Sequence, residues 1–474
     1  MSTDDSPVAR RPNVVVFLAD DLGWGDLGCY GSTAVPTPAI DALAARGQRF
    51  TDCHAASAVC TPSRYALLTG EYPWRSPLRA GVLGGTDPSI LRPGQPTVAH
   101  AARDAGYRTG AFGKWHLGLG WARKDGSTRS AFDRAFAPDM QASGWDVDYT
   151  KPFTDGPLSH GFERFFGIAG SLDMPPYCFL DQDRTVGIPD RPKEPLVTSQ
   201  RPGPQVDGWQ DDAVDVAFTR EACAWVREQA ASEQPFFAYI ASAAPHRPCV
   251  PPEFVQGASR AGARGDAVCL VDWMMAQVVE TLREIGALEN TVIVFTSDNG
   301  APLIFPEDGD VVTHRPNGGW RGQKADAWEG GHRVPLIIAA PGSDVATRDE
   351  TVSLLDVTAT LEASVFGAAV RGDGRPLPAP GTLDFARVIG QQAYDGALAL
   401  RQGTHKAIFS TGSGGFSEPV GRPTASCERG QLYDLAADPA ECDDVWSDAP
   451  DRAAQMLRAF ATQTGYRHDG SSDA

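Results

Sequence analysis

Asn13-Val14-Val15-Val16-Phe17-Leu18-Ala19-Asp20-Asp21-Leu22-Gly23 is the stretch that decides the fold. Its apolar run has no polar face, as expected of a strand buried on both sides within a sheet covered by helices. It stops abruptly at two adjacent carboxylates. The same pattern recurs along the chain. Tyr107 to Phe112 runs into Gly113-Lys114-Trp115-His116, and Pro235 to Ile240 reaches Pro245-His246. Thr291 to Phe295 ends in Ser297-Asp298-Asn299-Gly300, and Val334 to Ala340 is a further buried run. Helical stretches separate them: Thr37 to Gly47, Thr97 to Ala105, Ala213 to Ala230, Asp266 to Ile285 and Leu354 to Ala363. Buried strands alternating with helices predict an α/β domain with a large central, mostly parallel or mixed sheet flanked by helices. Such sheets bind ligands at the carboxyl ends of their strands. The charged and metal-competent residues fall at that edge.

The chain has 474 residues with 42% hydrophobic content, enough for a large core and more than one minimal domain. Residues 1–373 read as the catalytic α/β domain and 374–474 as a smaller α+β subdomain with a short antiparallel sheet. The second unit is inferred from brief strand patterns at Ala397–Arg401, Lys406–Phe409 and Gln431–Leu435, divided by Gly/Ser-rich turns, with Pro450 to Thr464 closing as a helix. Leu119 to Gln210, rich in Gly, Pro and Asp, reads as loops over the active face, with Gly161 to Gly170 ordered.

A net charge of −18 argues against nucleic acid or an anionic membrane as the main partner. No stretch has the length of a transmembrane helix. Arg10-Arg11 precede an apolar run, but Val14 to Ala19 is too short for an export signal and acids follow at once. The nine cysteines are scattered, with no Cys-x-x-Cys pair. The expectation is a cytoplasmic protein with reduced thiols.

Cys60-Thr61-Pro62-Ser63-Arg64 opens a helix that Tyr65, Leu67 and Leu68 continue and Gly70 ends. Pro62 suits a first helical position because its missing N–H would be unpaired there anyway. Cys60 therefore sits at a helix N-terminus, which favours negative charge, with Arg64 one turn on. A small buried thiol and a thiolate nucleophile are both open readings.

Asp20, Asp21, Asp298 and Asn299 are oxygen donors. Three carboxylates and an amide suit a hard cation, Ca²⁺ or Mg²⁺, better than zinc; capping or turn formation is the alternative for the Asp20-Asp21 pair. Lys114 and His116 alternate on an extended segment, so both can face one pocket. There Lys114 would hold anionic oxygens and His116 would transfer protons, unless both are structural. His246 lies between stiffening prolines, as suits a positioned acid or base. Lys324 offers a second cation from the Arg321 to Pro335 loop, or is simply an exposed loop lysine.

Taken together, these motifs resemble the sulfatases, the formylglycine-dependent, arylsulfatase-like branch of the alkaline phosphatase superfamily. The matches are Ala19-Asp20-Asp21-Leu22-Gly23, Cys60-Thr61-Pro62-Ser63-Arg64, Gly113 to Gly118, Pro245-His246, Ser297 to Gly300, and Lys324 ahead of Glu329-Gly330-Gly331. The resemblance implies that Cys60 is oxidised to formylglycine by a maturation enzyme and that its hydrate attacks sulfur. It implies Asp20, Asp21, Asp298 and Asn299 as ligands, usually of Ca²⁺, and Arg64 as electrostatic support for residue 60. Lys114, His116, His246 and Lys324 become the sulfate-binding and proton-transfer groups, and Ser171, a looser match, is a substrate contact or a simple turn serine. His332 and Arg333 either contribute further to a sulfate or sugar carboxylate site or serve local loop structure. The implied substrate is a small-molecule or saccharide sulfate ester, and the missing export signal favours a small imported one. A phosphomonoester or phosphodiester hydrolase on the same scaffold is the alternative enzyme. A non-catalytic, metal-stabilised binding protein with Cys60 unmodified is the alternative outside catalysis.

Overall fold

The computed structural model describes residues 11–467 except 233, 304–313, 383 and 425–428; Arg10 of the dibasic pair lies outside them. Asn13–Ala19 forms a central strand of an eleven-stranded sheet. It runs parallel to Thr291–Ser297 on one side and to Phe236–Ala241 on the other. Arg108–Lys114 and Arg164–Ile168 extend the parallel set. On the opposite flank Arg333–Ala339 is antiparallel to both of its neighbours, Thr291–Ser297 and Gln48–His54. The sheet is therefore mixed around a parallel centre, as the apolar runs predict.

The first strand shows why. Val14, Val16 and Leu18 pack into one apolar layer while Val15, Phe17 and Ala19 pack into the other. Period-two alternation with both faces apolar requires helices on both faces. The helices Cys60–Thr69, Val98–Asp104 and Leu354–Thr360 contribute to the first layer. Pro38–Ala44, Val214–Gln229 and Gly262–Glu284 contribute to the second. Among the described residues no helix is long and apolar enough to cross a membrane.

A second sheet orders Ile389–Gln392, Leu398–Gln402, His405–Ile408 and Gln431–Asp434 in sequence, all antiparallel. Pro450–Thr464 packs on it through Met456 and Phe460. Its first strand has no legible pattern because it contains a Gly and two Gln, yet every residue in it is buried. The backbone of Gln392 serves a seam with the segment that follows Gln48–His54 of the large sheet. The Gln392 N–H donates to the Ala56 carbonyl at 3.0 Å, and the Ala58 N–H donates to the Gln392 carbonyl at 2.9 Å.

A buried charge network crosses the same seam. Lys406 lies 3.1 Å from Glu329 Oε1, 2.9 Å from Glu441 Oε1 and 3.0 Å from His332 Nε2. Burial pushes the Glu441 carboxyl up to about 7 against the pull of Lys406. Arg333 pairs with Glu329 at 2.9 Å and Asp52 at 2.8 Å, and His54 Nδ1 meets His332 Nδ1 at 3.1 Å. Lys406→Met leaves buried Glu441 without its cation and Glu329 with Arg333 alone, so it should cost about 3–5 kcal/mol of stability in urea unfolding. A loss below about 1 kcal/mol, the range of exposed pairs, would show that the network is not the buried pairing described.

Candidate active site

Sheet order gathers the site. Thr291–Ser297, Asn13–Ala19, Phe236–Ala241 and Arg108–Lys114 are successive neighbours and run in one direction. Their ends therefore deliver Asp298-Asn299, Asp20-Asp21, the His246 loop and Lys114 to one edge. Gly113 makes the last of these possible. Its φ is 110°, and a Cβ there would lie 1.8 Å from the Ala241 carbonyl oxygen, so a side chain would force neighbouring strands apart.

The groups interlock at that edge. Lys114 Nζ is 2.7 Å from Asp20 Oδ2, and Lys324 Nζ is 2.8 Å from Asp21 Oδ2. His246 Nε2 lies 3.6 Å from Asp21 Oδ2, while its Nδ1 meets the Arg247 carbonyl at 2.7 Å. Ligand-capable atoms of Asp20, Asp21, Cys60 and His246 all fall within 4.8 Å of one another. Arg264 braces the turn, donating to the Asp21 carbonyl at 2.9 Å and pairing with Asp26 at 2.7 Å. Nothing in the sequence around Arg264 signals that role.

Cys60 is the first residue of its helix and Val59 is the N-cap, with no side chain capping the turn. Pro62 is thus the third helical residue, not the first. Its missing N–H still falls among the four that lack an intrahelical partner, so the helix tolerates it. Burial raises the Cys60 pKa, but Lys114, Lys324 and a hydrogen bond from His246 outweigh it and bring the thiol down to about 7. Burial likewise opposes charge on His246, yet Asp21 and Asp20 hold its pKa up at about 9 despite Lys324 and Lys114.

Two expectations change. Arg64 turns away from a simple pairing with Cys60: its Nε and Nη2 lie 2.9 and 2.8 Å from Asp298 Oδ2, and its Nη1 donates to the Lys114 carbonyl at 3.0 Å. Arg64 therefore organises the carboxylates. His116 is not poised near neutrality: burial and Lys114 push its pKa well below the usual imidazole range. Its Nε2 contacts the Leu83 carbonyl at 2.8 Å, and Nδ1 is buried with no hydrogen-bond partner. A neutral ring donating through Nε2 leaves Nδ1 as an acceptor.

Ser171 follows the Arg164–Ile168 strand at the same sheet edge, with its buried Oγ unpartnered. His332 and Arg333, open between anion contact and local structure, belong to the seam network. The short Glu329–His332 helix carries them from Lys324 towards Lys406 and Asp52. Sequence reading also missed the apolar surroundings of Cys60, namely Val59, Val82 and Ala325 with Met140 and Tyr394 packed against them.

The oxygen donors fit a hard divalent cation. Asp20 Oδ1 and Asn299 Oδ1 are buried without a hydrogen-bond partner. The Asn299 amide is oriented by its own donors, which reach Asp21 Oδ1 at 2.7 Å and the Gly300 carbonyl at 2.9 Å. Burial and the charge of nearby Asp20 push Asp298 up to about 7 even against Arg64. Arg64, Lys114 and Lys324 already balance the three carboxylates, so the fit to Ca²⁺ or Mg²⁺ rests on the oxygens that no hydrogen bond satisfies, Asp20 Oδ1 and Asn299 Oδ1.

The sulfatase family model matches residues 12–365, a span that contains Asp20, Asp21, Cys60, Arg64, Lys114, His116, His246, Asp298, Asn299 and Lys324. The chain belongs to the sulfatase family. Accordingly it is an enzyme of the sulfuric ester hydrolase class. The N-acetylgalactosamine-6-O-sulfatase of Bacteroides thetaiotaomicron is 31% identical to it over 97% of this chain and 95% of that one. Arylsulfatase A of Homo sapiens is 32% identical over 96% of this chain and 87% of its own. A solved sulfatase structure, described under metabolism of multiple glycosaminoglycans by Bacteroides thetaiotaomicron, superposes with a TM-score of 0.78 at 28% identity, covering 96% of this chain and 99% of that one.

Proposed function

We propose that this sulfatase hydrolyses its ester at a formylglycine made from Cys60 by a maturation enzyme, beside a Ca²⁺ ion held by Asp20, Asp21, Asp298 and Asn299, with Mg²⁺ the alternative. The observation that carries the reading is the placement of Cys60 at a helix N-terminus, under the combined influence of Lys114, Lys324 and His246. When present, the cation and the formylglycine hydrate would supply positive charge for a sulfate oxygen and the attacking hydroxyl.

The other residues perform recognisable tasks. Lys114 and Lys324 bring fixed positive charge to the oxygens of a bound sulfate, where charge shifts during displacement. His246 is drawn towards its protonated form by Asp21 and Asp20, which hold its pKa up at about 9 against burial. Donation from Nδ1 to the Arg247 carbonyl fixes the ring, so Nε2–H is the proton available to a departing alcohol oxygen. His116, kept neutral by burial and Lys114, offers Nδ1 as a buried hydrogen-bond acceptor and is a weak base for the step that expels sulfate. Ser171 presents its free hydroxyl as a substrate contact. The substrate class is a small-molecule or saccharide sulfate ester. Cytoplasmic residence belongs to the same proposal, supported by cysteines such as Cys29, Cys53, Cys178 and Cys223 that stand as free thiols.

Sulfate release from an aryl sulfate by matured protein should exceed phosphate release from the matching aryl phosphate; the reverse order would favour phosphoester chemistry. His246→Ala should slow esters of basic alcohols by about 10²–10⁴-fold while an activated aryl sulfate, whose phenolate leaves unaided, loses less. Equal losses for the two leaving groups would remove the acid role from His246.

A further inference from the structure

We propose that Tyr394 and Phe416 form a platform for the alcohol part of the ester, and that this part is a six-membered ring presenting a flat face. The proposal rests on the sulfatase reading of Cys60 and goes on to name what the site selects. Tyr394 packs against the cluster of Val59, Cys60, Val82 and Ala325, and Met140 reaches the same cluster from the 119–210 segment. Its backbone is fixed on both sides. The Tyr394 N–H donates to the carbonyl of Ala325, the residue after Lys324, at 2.9 Å, and its own carbonyl accepts the Gly81 N–H at 2.7 Å.

Phe416 is brought to the same place by a different loop. Its N–H donates to Asp326 Oδ1 at 2.8 Å, and the Ser417 N–H donates to the same oxygen at 3.1 Å. The loop is closed on itself, with Ser413 Oγ donating to the Ser417 carbonyl at 2.7 Å and the Gly414 N–H to the Val420 carbonyl at 2.9 Å. The two rings stand 5.3 Å apart at an interplanar angle of 51°, making an open corner. Phe416 remains 52% exposed. An exposed aromatic ring tied by its backbone to the segment that carries Lys324 is placed to meet substrate.

Both residues lie beyond residue 365, where the match to the family ends. The reacting groups thus lie within the span the family model matches, and this corner comes from turns of the C-terminal sheet. Aromatic faces accept the C–H face of a pyranose or the plane of an aryl group, and a linear alkyl chain offers neither. Because the corner is held by backbone hydrogen bonds before substrate arrives, ordering it adds little to the cost of binding.

The test uses matured full-length enzyme with 4-nitrophenyl sulfate, N-acetylgalactosamine 6-sulfate and a primary alkyl sulfate. Phe416→Ala, at an exposed position, is the main variant, and Tyr394→Ala the second. The ratio of kcat/KM for a ring ester over the alkyl ester should fall roughly three- to tenfold, mostly through KM. A fall confined to the pyranose or to the aryl ester still supports the platform and assigns which ring it takes. An unchanged ratio in Phe416→Ala, with sulfate release intact, overturns the platform alone. Wild-type enzyme that releases sulfate from none of the esters overturns the sulfatase reading and the platform with it.

Discussion

Cys60→Ser, produced in a host that oxidises only cysteine, is expected to fold like the parent and release sulfate at least about 10⁴-fold more slowly. The side chain is almost the same size and sits 2% exposed in a small apolar cluster, so packing is preserved. What changes is chemistry. A serine at this position cannot be matured there, and its hydroxyl lacks the acidity that Lys114, Lys324 and His246 confer on the thiol. Sulfate release measured by ion chromatography, alongside a thermal melt, separates the two effects. A variant that keeps the wild-type rate would show that residue 60 is not the source of the nucleophile.

Asp298→Asn should lose both the divalent cation and activity while keeping the shape of the side chain. Asp298 accepts the Asp21 N–H at 3.1 Å through Oδ1 and holds Arg64 through Oδ2. Removing its charge leaves Arg64, buried at the centre of the site, with Asp20 as its remaining anion at 3.4 Å. Arg64 would then compete with the cation for Asp20. Changes behind a metal ligand already cost 10–100-fold in affinity or activity, so altering a ligand should cost at least about 100-fold. The independent readout is bound Ca²⁺ by elemental analysis after dialysis. Wild-type metal content in folded Asp298→Asn would remove Asp298 from the ligand set.

The parallel centre of the fold was legible because Val14 to Ala19 leaves no polar face, and the edge was legible because each apolar run stops at a charge. Convergence of Asp20, Lys114, His246 and Asp298 follows from that alone, since their strands are neighbours. Contacts set by the second sheet were not legible. Ile389–Gln392 hides its strand character in glutamines whose backbone is needed at the seam. Tyr394 and Phe416 sit in turns, where no periodicity marks a residue as facing the site. His332 and Arg333 follow Lys324 closely, and the sequence left a pocket role and a structural one equally open. One short helix directs them to partners at Lys406 and Asp52, distant in sequence. Arg64 stands one turn from Cys60, but the neighbouring carboxylates attract its guanidinium more strongly than the thiol does, which no helical spacing reveals.

The central claim is that the reacting group is made from Cys60. Preparations matured to different extents can be digested and the Cys60 peptide quantified by mass spectrometry as thiol or aldehyde, with sulfate release measured on the same samples. The account predicts that activity rises in proportion to the aldehyde fraction and falls to background where only thiol is found. Full sulfate release from protein whose Cys60 is entirely thiol would contradict it.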